Sequence, residues 1–252
     1  MTWSIVARDP ETGHLGIAVA SRFFAVGSAV PYMRGGVGAV ATQAFVSPLY
    51  GTDGLAMLGE GKSPQEIIGV LTERDDGAEQ RQMHLIDAQG RNAVFTGKKC
   101  VDWAGHLIGD NVSVAGNMLA GPQVLERTLA AYRDLSAAPF AERLLGAMEA
   151  GEAAGGDKRG KQSAALVICR DQDYAWLSIR ADDHAEPLRE LWRLYRVAQE
   201  RYLHVAETMP TRENPHGLTD RTEIDRKIAS LEAERQAAGL ASSSFATPWT
   251  PS

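Results

Sequence analysis

Thr2-Trp3-Ser4-Ile5-Val6-Ala7-Arg8, Asp9-Pro10-Glu11-Thr12-Gly13 and His14-Leu15-Gly16-Ile17-Ala18-Val19-Ala20-Ser21-Arg22 open the chain and decide how the rest is read. The first and third stretches are short apolar runs of strand type. The middle one carries Pro and Gly where a chain reverses. Together they predict a hairpin whose first strand begins at the second residue of the protein. Working outward, Gly35-Gly36 breaks the chain before a third run, Val37 to Phe45. Two helical candidates follow. One starts near Gly51 and Asp53 and carries Leu55 and Leu58. In the other Ser63 caps, Pro64 suits the first turn, and Ile67, Ile68 and Leu71 form an apolar stripe.

Strands return at His84 to Asp87, Ala93 to Thr96 and Asn111 to Ala115, the last leading into Gly116-Asn117. Helices are expected over Pro122 to Leu135 and Ala138 to Glu149. After a Gly-rich segment, Ser163 to Cys169 and Tyr174 to Ile179 form another hairpin-like pair. Strand blocks alternating with helix pairs do not suit a Rossmann sheet, where single helices separate parallel strands. They suit an α+β architecture of two stacked antiparallel sheets with helix layers outside. From Leu188 to Ala198 the spacing is helical, and Asp220 to Ala238 reads as a charged helix with Ile224, Ile228 and Leu231 on one side. The expected organisation is a sandwich domain over 1–205, followed over 206–252 by a linker, that helix and a flexible tail.

The 252 residues carry a net charge of −6, so nothing favours a nucleic-acid partner. Hydrophobic residues at 44% and charged residues at 23% are ordinary for a globular chain. No apolar run approaches the roughly 20 residues of a membrane span. No secretory leader is legible, and Cys100 and Cys169 fit no metal spacing. A cytoplasmic protein with no membrane partner is the expectation.

Thr2 is the residue with most chemical meaning. A hydroxyl is a weak nucleophile unless a base sits beside it, and the α-amine of an N-terminal threonine is such a base. Its pKa of roughly 8 leaves a useful neutral fraction near pH 7. Removal of Met1 would put hydroxyl and amine on one residue; threonine is also simply common at this position. With the strand starting at Thr2 and Ser21-Arg22 ending the next strand, the chain resembles the N-terminal nucleophile hydrolases, specifically proteasome β-subunits. More closely, it resembles the domain of unknown function 1028 family. The segments that carry this are Thr2 to Ala7, Gly36-Val37-Gly38-Ala39-Val40-Ala41-Thr42-Gln43, and Gly155-Gly156-Asp157-Lys158-Arg159-Gly160-Lys161-Gln162-Ser163-Ala164-Ala165-Leu166. The resemblance spans about residues 2 to 190. It implies a four-layer αββα sandwich and an amide hydrolase acting through Thr2. Two departures stand out: Ala20 precedes the Ser-Arg pair where a proteasome subunit has Asp, and no lysine lies between Arg22 and Lys62.

In such a fold Ser21 and Gln43 lie at strand ends near Thr2. Ser21 then orients the amine, while Gln43 or Asn117 donates to an oxyanion. Asp157 and Arg159 are candidates for binding an ammonium and a carboxylate, with Gln162 and Ser163 beside them. An ion pair that orders the Gly-rich loop accounts for the same Asp and Arg. Asp182-Asp183-His184 has metal-ligand chemistry, but neighbours on an extended chain point apart, and the run reads better as a helix start. No metal and no cofactor are expected. The substrate is a small amide or peptide, and the apolar stripes of the last helices suggest a homodimer or higher homo-oligomer. The rival reading is a non-catalytic binding or assembly scaffold on the same sandwich.

Overall fold

The structure, a computed structural model, describes residues 2–247. Met1 and 248–252 lie outside them, and so do the fate of Met1 and the end of the tail. The opening hairpin forms as expected: β1 (Thr2–Arg8) pairs antiparallel with β2 (Leu15–Ser21), Trp3 opposite Ala20 and Arg8 opposite Leu15. Around it lies a six-stranded antiparallel sheet. It adds β7 (Gly105–Gly109), β8 (Val112–Asn117), β9 (Ser163–Cys169) and β10 (Ala175–Ala181) in the order β10-β9-β2-β1-β8-β7. A second antiparallel sheet runs β3 (Pro31–Arg34), β4 (Gly38–Ala44), β5 (Arg81–Asp87), β6 (Asn92–Thr96).

Both faces of β1 are buried, and the alternation along it divides the protein. Trp3, on the face with Ile5 and Ala7, packs where a Cβ at Gly151 would lie 3.0 Å from its Nε1. That places this face against α4 (Gln123–Asp134) and α5 (Phe140–Ala153). Leu144 and Phe140 of α5 likewise crowd Gly16, where a side chain would meet Leu144 at 2.5 Å. Thr2, Ser4 and Val6 point the other way, toward the second sheet. There Val6, Ile17, Val19, Ala39, Ala41 and Ile86 share one buried apolar cluster. The outer face of the second sheet packs Val40, Met83 and Leu85 on α2 (Pro48–Gly59) and α3 (Pro64–Glu73) through Met57, Leu58, Ile67 and Leu71. The Ser63–Glu66 capping box starts α3 as its spacing implies.

Among the short elements that escape the sequence reading are α1 (Val26–Ala29), a 3-10 turn at Ala78–Gln80, β3 and β7. Both strands sit at sheet edges. Pro31 opens one and glycines bound the other, the compositions that weaken a strand signal and suit an edge. Their neighbours, rather than their own periodicity, make them strands.

The chain divides into two compact units, Met1–Leu191 and Trp192–Ser252, so the break falls inside α6 (Pro187–Val197) and ahead of the expected position at 205. The second unit continues through a π-helical turn, Ala198–Tyr202, α7 (Leu203–Ala206) and α8 (Thr222–Ala237). Within it Glu200 accepts hydrogen bonds from Ser242 (2.6 Å) and Ser243 (2.7 Å), and Arg193 stacks 3.9 Å from the Phe245 ring. The described part of the tail is therefore anchored. Among the described residues no helix is long and apolar enough to cross a membrane.

Leu144 is fully buried between α5 and β2. Leu144→Ala is expected to lower the unfolding free energy by about 2–5 kcal/mol in a urea titration. Val70→Ala, on the exposed side of α3, should stay within about 0.5 kcal/mol.

Candidate active site

The strand registers line up a row of polar residues at one end of the first sheet. Ser163 lies opposite Ser21 and Thr2 opposite Asn117, with the Trp3–Ala20 pair placing Ser21 beside Thr2. Opposed residues in an antiparallel pair present their side chains to one face. The row accordingly faces the second sheet, as Ser4 does two residues along β1. The Thr2 hydroxyl donates to Ser21 Oγ at 3.2 Å, and Asn117 Nδ2 reaches the main-chain oxygen of Thr2 at 3.4 Å. All four residues are buried.

Beyond that row a chain of buried amides and hydroxyls crosses between the sheets. Asn117 Nδ2 donates to Gln82 Oε1 (3.1 Å), and so does Gln43 Nε2 (2.8 Å). The second Gln43 proton goes to Ala115 O at 3.1 Å. Gln82 Nε2 faces Thr96 Oγ1, Gly105 O and Gly116 O, all within 3.0 Å. Ser4 Oγ donates to Gln43 Oε1 at 2.7 Å and lies 2.8 Å from His84 Nε2. With its proton given to Gln43, Ser4 must accept from Nε2–H. His84 is then the neutral Nε2 tautomer, accepting from Ser113 Oγ at Nδ1 (2.9 Å). Burial, with help from nearby His106, holds the His84 pKa down at about 3.

This network changes the part given to Gln43. Both its amide protons have acceptors inside the sandwich, so it is a brace rather than an oxyanion donor. Asn117 stays next to Thr2 with one firm partner and one long contact. Gln82, His84 and Ser113 were missing from the sequence reading. The available signal was polar residues two or four apart on β1 (Thr2, Ser4), β5 (Gln82, His84) and β8 (Ser113, Asn117), which places each pair on one face of its strand.

The Gly-rich loop follows the loop-ordering alternative. Asp157 Oδ2 accepts the Arg22 N–H at 2.8 Å and Oδ1 the Arg159 N–H at 2.9 Å, while the Arg159 guanidinium closes the pair at 3.2 Å. Ser163 Oγ accepts from Val26 N (3.1 Å) and donates to Phe23 O, pinning the segment after β2. Gln162 Nε2 donates to Asp183 Oδ1 at 3.1 Å. These four candidates hold the walls around Ser21 rather than presenting free groups. A cavity of about 80 Å³ lies there, lined by Trp3, Ser21, Glu152, Asp157 and Lys161. Lys161 bridges Glu152 (2.8 Å) and Glu186 (2.6 Å).

The Asp182-Asp183-His184 run diverges: Asp182 pairs with Arg180 (2.7 Å), Asp183 with Gln162, and His184 Nδ1 accepts the Glu186 N–H (3.0 Å) just before α6. No cluster of three or more metal-ligating side chains occurs among the described residues. Cys100 and Cys169 are buried free thiols, and burial raises the pKa of both.

The model of the family of unknown function DUF1028 matches residues 2–191, the span of the first compact unit. A crystal structure of a Silicibacter pomeroyi protein of the same family superposes with a TM-score of 0.81 at 32% identity, covering 87% of this chain and 96% of that one. An Anbu (ancestral beta-subunit) from Yersinia bercovieri gives 0.36 at 13% identity over 83% and 98%, a likeness too weak to carry an argument. No curated protein matches.

His84 also supplies a pH signature. An unfolded histidine titrates near 6.5, whereas folded His84 stays neutral down to about 3. Between those values only the unfolded chain binds the proton, so this contribution is complete above about 6.5 and falls away as pH drops. Between pH 7 and 5 the wild type should lose up to about 2 kcal/mol through this group. Half-buried His106 is lowered too and adds to the same slope. His84→Gln should flatten the stability–pH curve; equal slopes in both proteins would show that His84 is not the titrating group.

Proposed function

The chain belongs to the DUF1028 family, and on that premise we propose an amide hydrolase of the N-terminal-nucleophile type, built on a four-layer αββα sandwich with Thr2 as nucleophile. The observation that carries the reading is the buried Thr2 hydroxyl, bonded to Ser21 at 3.2 Å and paired across β8 with Asn117, at the end of the inter-sheet layer. A threonine whose only duty was to start a strand would need no such polar row around it.

In this reading Met1 is removed, and the Thr2 amine takes the hydroxyl proton as Oγ1 attacks the amide carbonyl. Ser21 holds the hydroxyl in place for that transfer. Asn117 Nδ2, through its long contact to the Thr2 main chain, is the donor closest at hand for the oxyanion. Collapse of the tetrahedral intermediate breaks the C–N bond, and the leaving amine takes the proton from the Thr2 ammonium. Water then attacks the ester on Thr2, with the same amine as base, and releases the acid. The absence of a lysine between Arg22 and Lys62 leaves the α-amine as the base of the scheme.

Intact mass of protein from its native host, before and after a β-lactone, tests this directly. Loss of Met1 with a single adduct is expected. The adduct should persist in Thr2→Ser and vanish in Thr2→Ala, with hydrolysis falling by about 10³-fold or more. Retained Met1 and no adduct would leave the scaffold reading in its place.

A further inference from the structure

On the β8 side of Thr2 lies a larger, half-open cavity, about 190 Å³, lined by Ala44, Phe45, Gln80, Lys99, Val101, Asn117 and Met118. Asn117 is common to this cavity and to the Thr2 row. A cavity on the order of 150 Å³ takes a benzene ring, so this one has room for a phenyl or branched alkyl group. Its wall is mostly apolar and includes Cys100.

Two features mark it as built rather than incidental. Ala44 (φ 68°) and Met118 (φ 52°) follow Gln43 and Asn117 directly, and both are left-handed. That conformation is unfavourable for a residue with a Cβ and persists where the surroundings impose it. Asn111, also left-handed, sits in the β7–β8 turn, where asparagine is at ease. Arg81 then fixes the next residue: it donates to Phe45 O (2.7 Å), stacks 5.4 Å from the Phe45 ring centroid and pairs with Asp75, which also accepts from Tyr50 (2.8 Å). The second feature is charge. The Lys99 ammonium has no ion-pair or hydrogen-bond partner among the described residues, in a chain whose net charge is −6.

We propose that this cavity is the side-chain subsite of the Thr2 site and selects substrates in which an aryl or branched-alkyl group lies next to a carboxylate, the carboxylate meeting Lys99. An apolar pocket accepts many neutral amides equally; one cation among its lining residues separates acids from their carboxamides. The inference rests on the Thr2 reading, but ligand binding here needs no turnover, so the two are tested apart.

The Thr2→Ala protein is titrated with N-acetylphenylalanine and with its carboxamide, by calorimetry. The acid should bind about tenfold tighter. Lys99→Met should erase that preference and Lys99→Arg keep it, while Val101→Trp, at an exposed position, should fill the cavity and weaken both ligands. Absence of binding by either probe, or a preference that survives Lys99→Met, would overturn the proposal. A preserved preference without β-lactone labelling of wild-type Thr2 would keep the subsite and remove the hydrolase. Labelling without any preference would do the reverse.

Discussion

Gln43 and Gln82 meet amide to amide between the sheets, and the site end of the protein depends on that contact. Neither side chain is exposed. Gln82 Oε1 accepts from Gln43 and Asn117 together, while its nitrogen faces carbonyls of both β7 and β8. A buried amide left without a partner costs about 1–3 kcal/mol, so these groups hold one arrangement or none. Through Asn117 the arrangement reaches Thr2, and through Ser4 it reaches His84 and Ser113.

The layer between the sheets thus has two characters. One region is packed by Val6, Ile17, Val19 and Ile86 and contributes cohesion through apolar burial. The other is polar, linked side chain to side chain, and orientationally specific. Directionless packing tolerates small slips, whereas hydrogen bonds fix orientation; the chain reaches the Thr2 main-chain oxygen through Asn117, while the Thr2 hydroxyl is held by Ser21. The loops at strand ends β2, β4 and β8 carry the left-handed residues Ala25, Ala44 and Met118. Unfavourable backbone is concentrated around the polar region.

Much of this was legible in the residues. The Asp9–Gly13 turn composition predicts the hairpin, Ser63-Pro64 with Glu66 predicts the start of α3, and the strand–helix alternation predicts two antiparallel sheets with helices outside. The edge strands β3 and β7 were not legible, because five or fewer residues around Pro31 or between Gly105 and Gly109 have no periodicity of their own. The nearness of Ser21 to Thr2 was legible through resemblance, whereas Asn117 was legible only as a polar residue at a strand end. The duties of Gln43, Asp157 and Ser163 were not, since a polar residue at a strand end looks the same whether it faces a ligand or a neighbouring main chain.

By itself the sequence determined local geometry: where the chain turns, which faces of the strands and helices are apolar, and that a threonine begins the first strand. Those are properties of short windows, governed by backbone conformation and side-chain period. Only the tertiary structure decided which polar groups find one another. Ser4, Gln43, Gln82, Ser113 and Asn117 come from four strands, and their hydrogen bonds exist only once two sheets stack in a single register. The same stacking separates a threonine that merely starts a strand from one whose hydroxyl lies in a buried polar row.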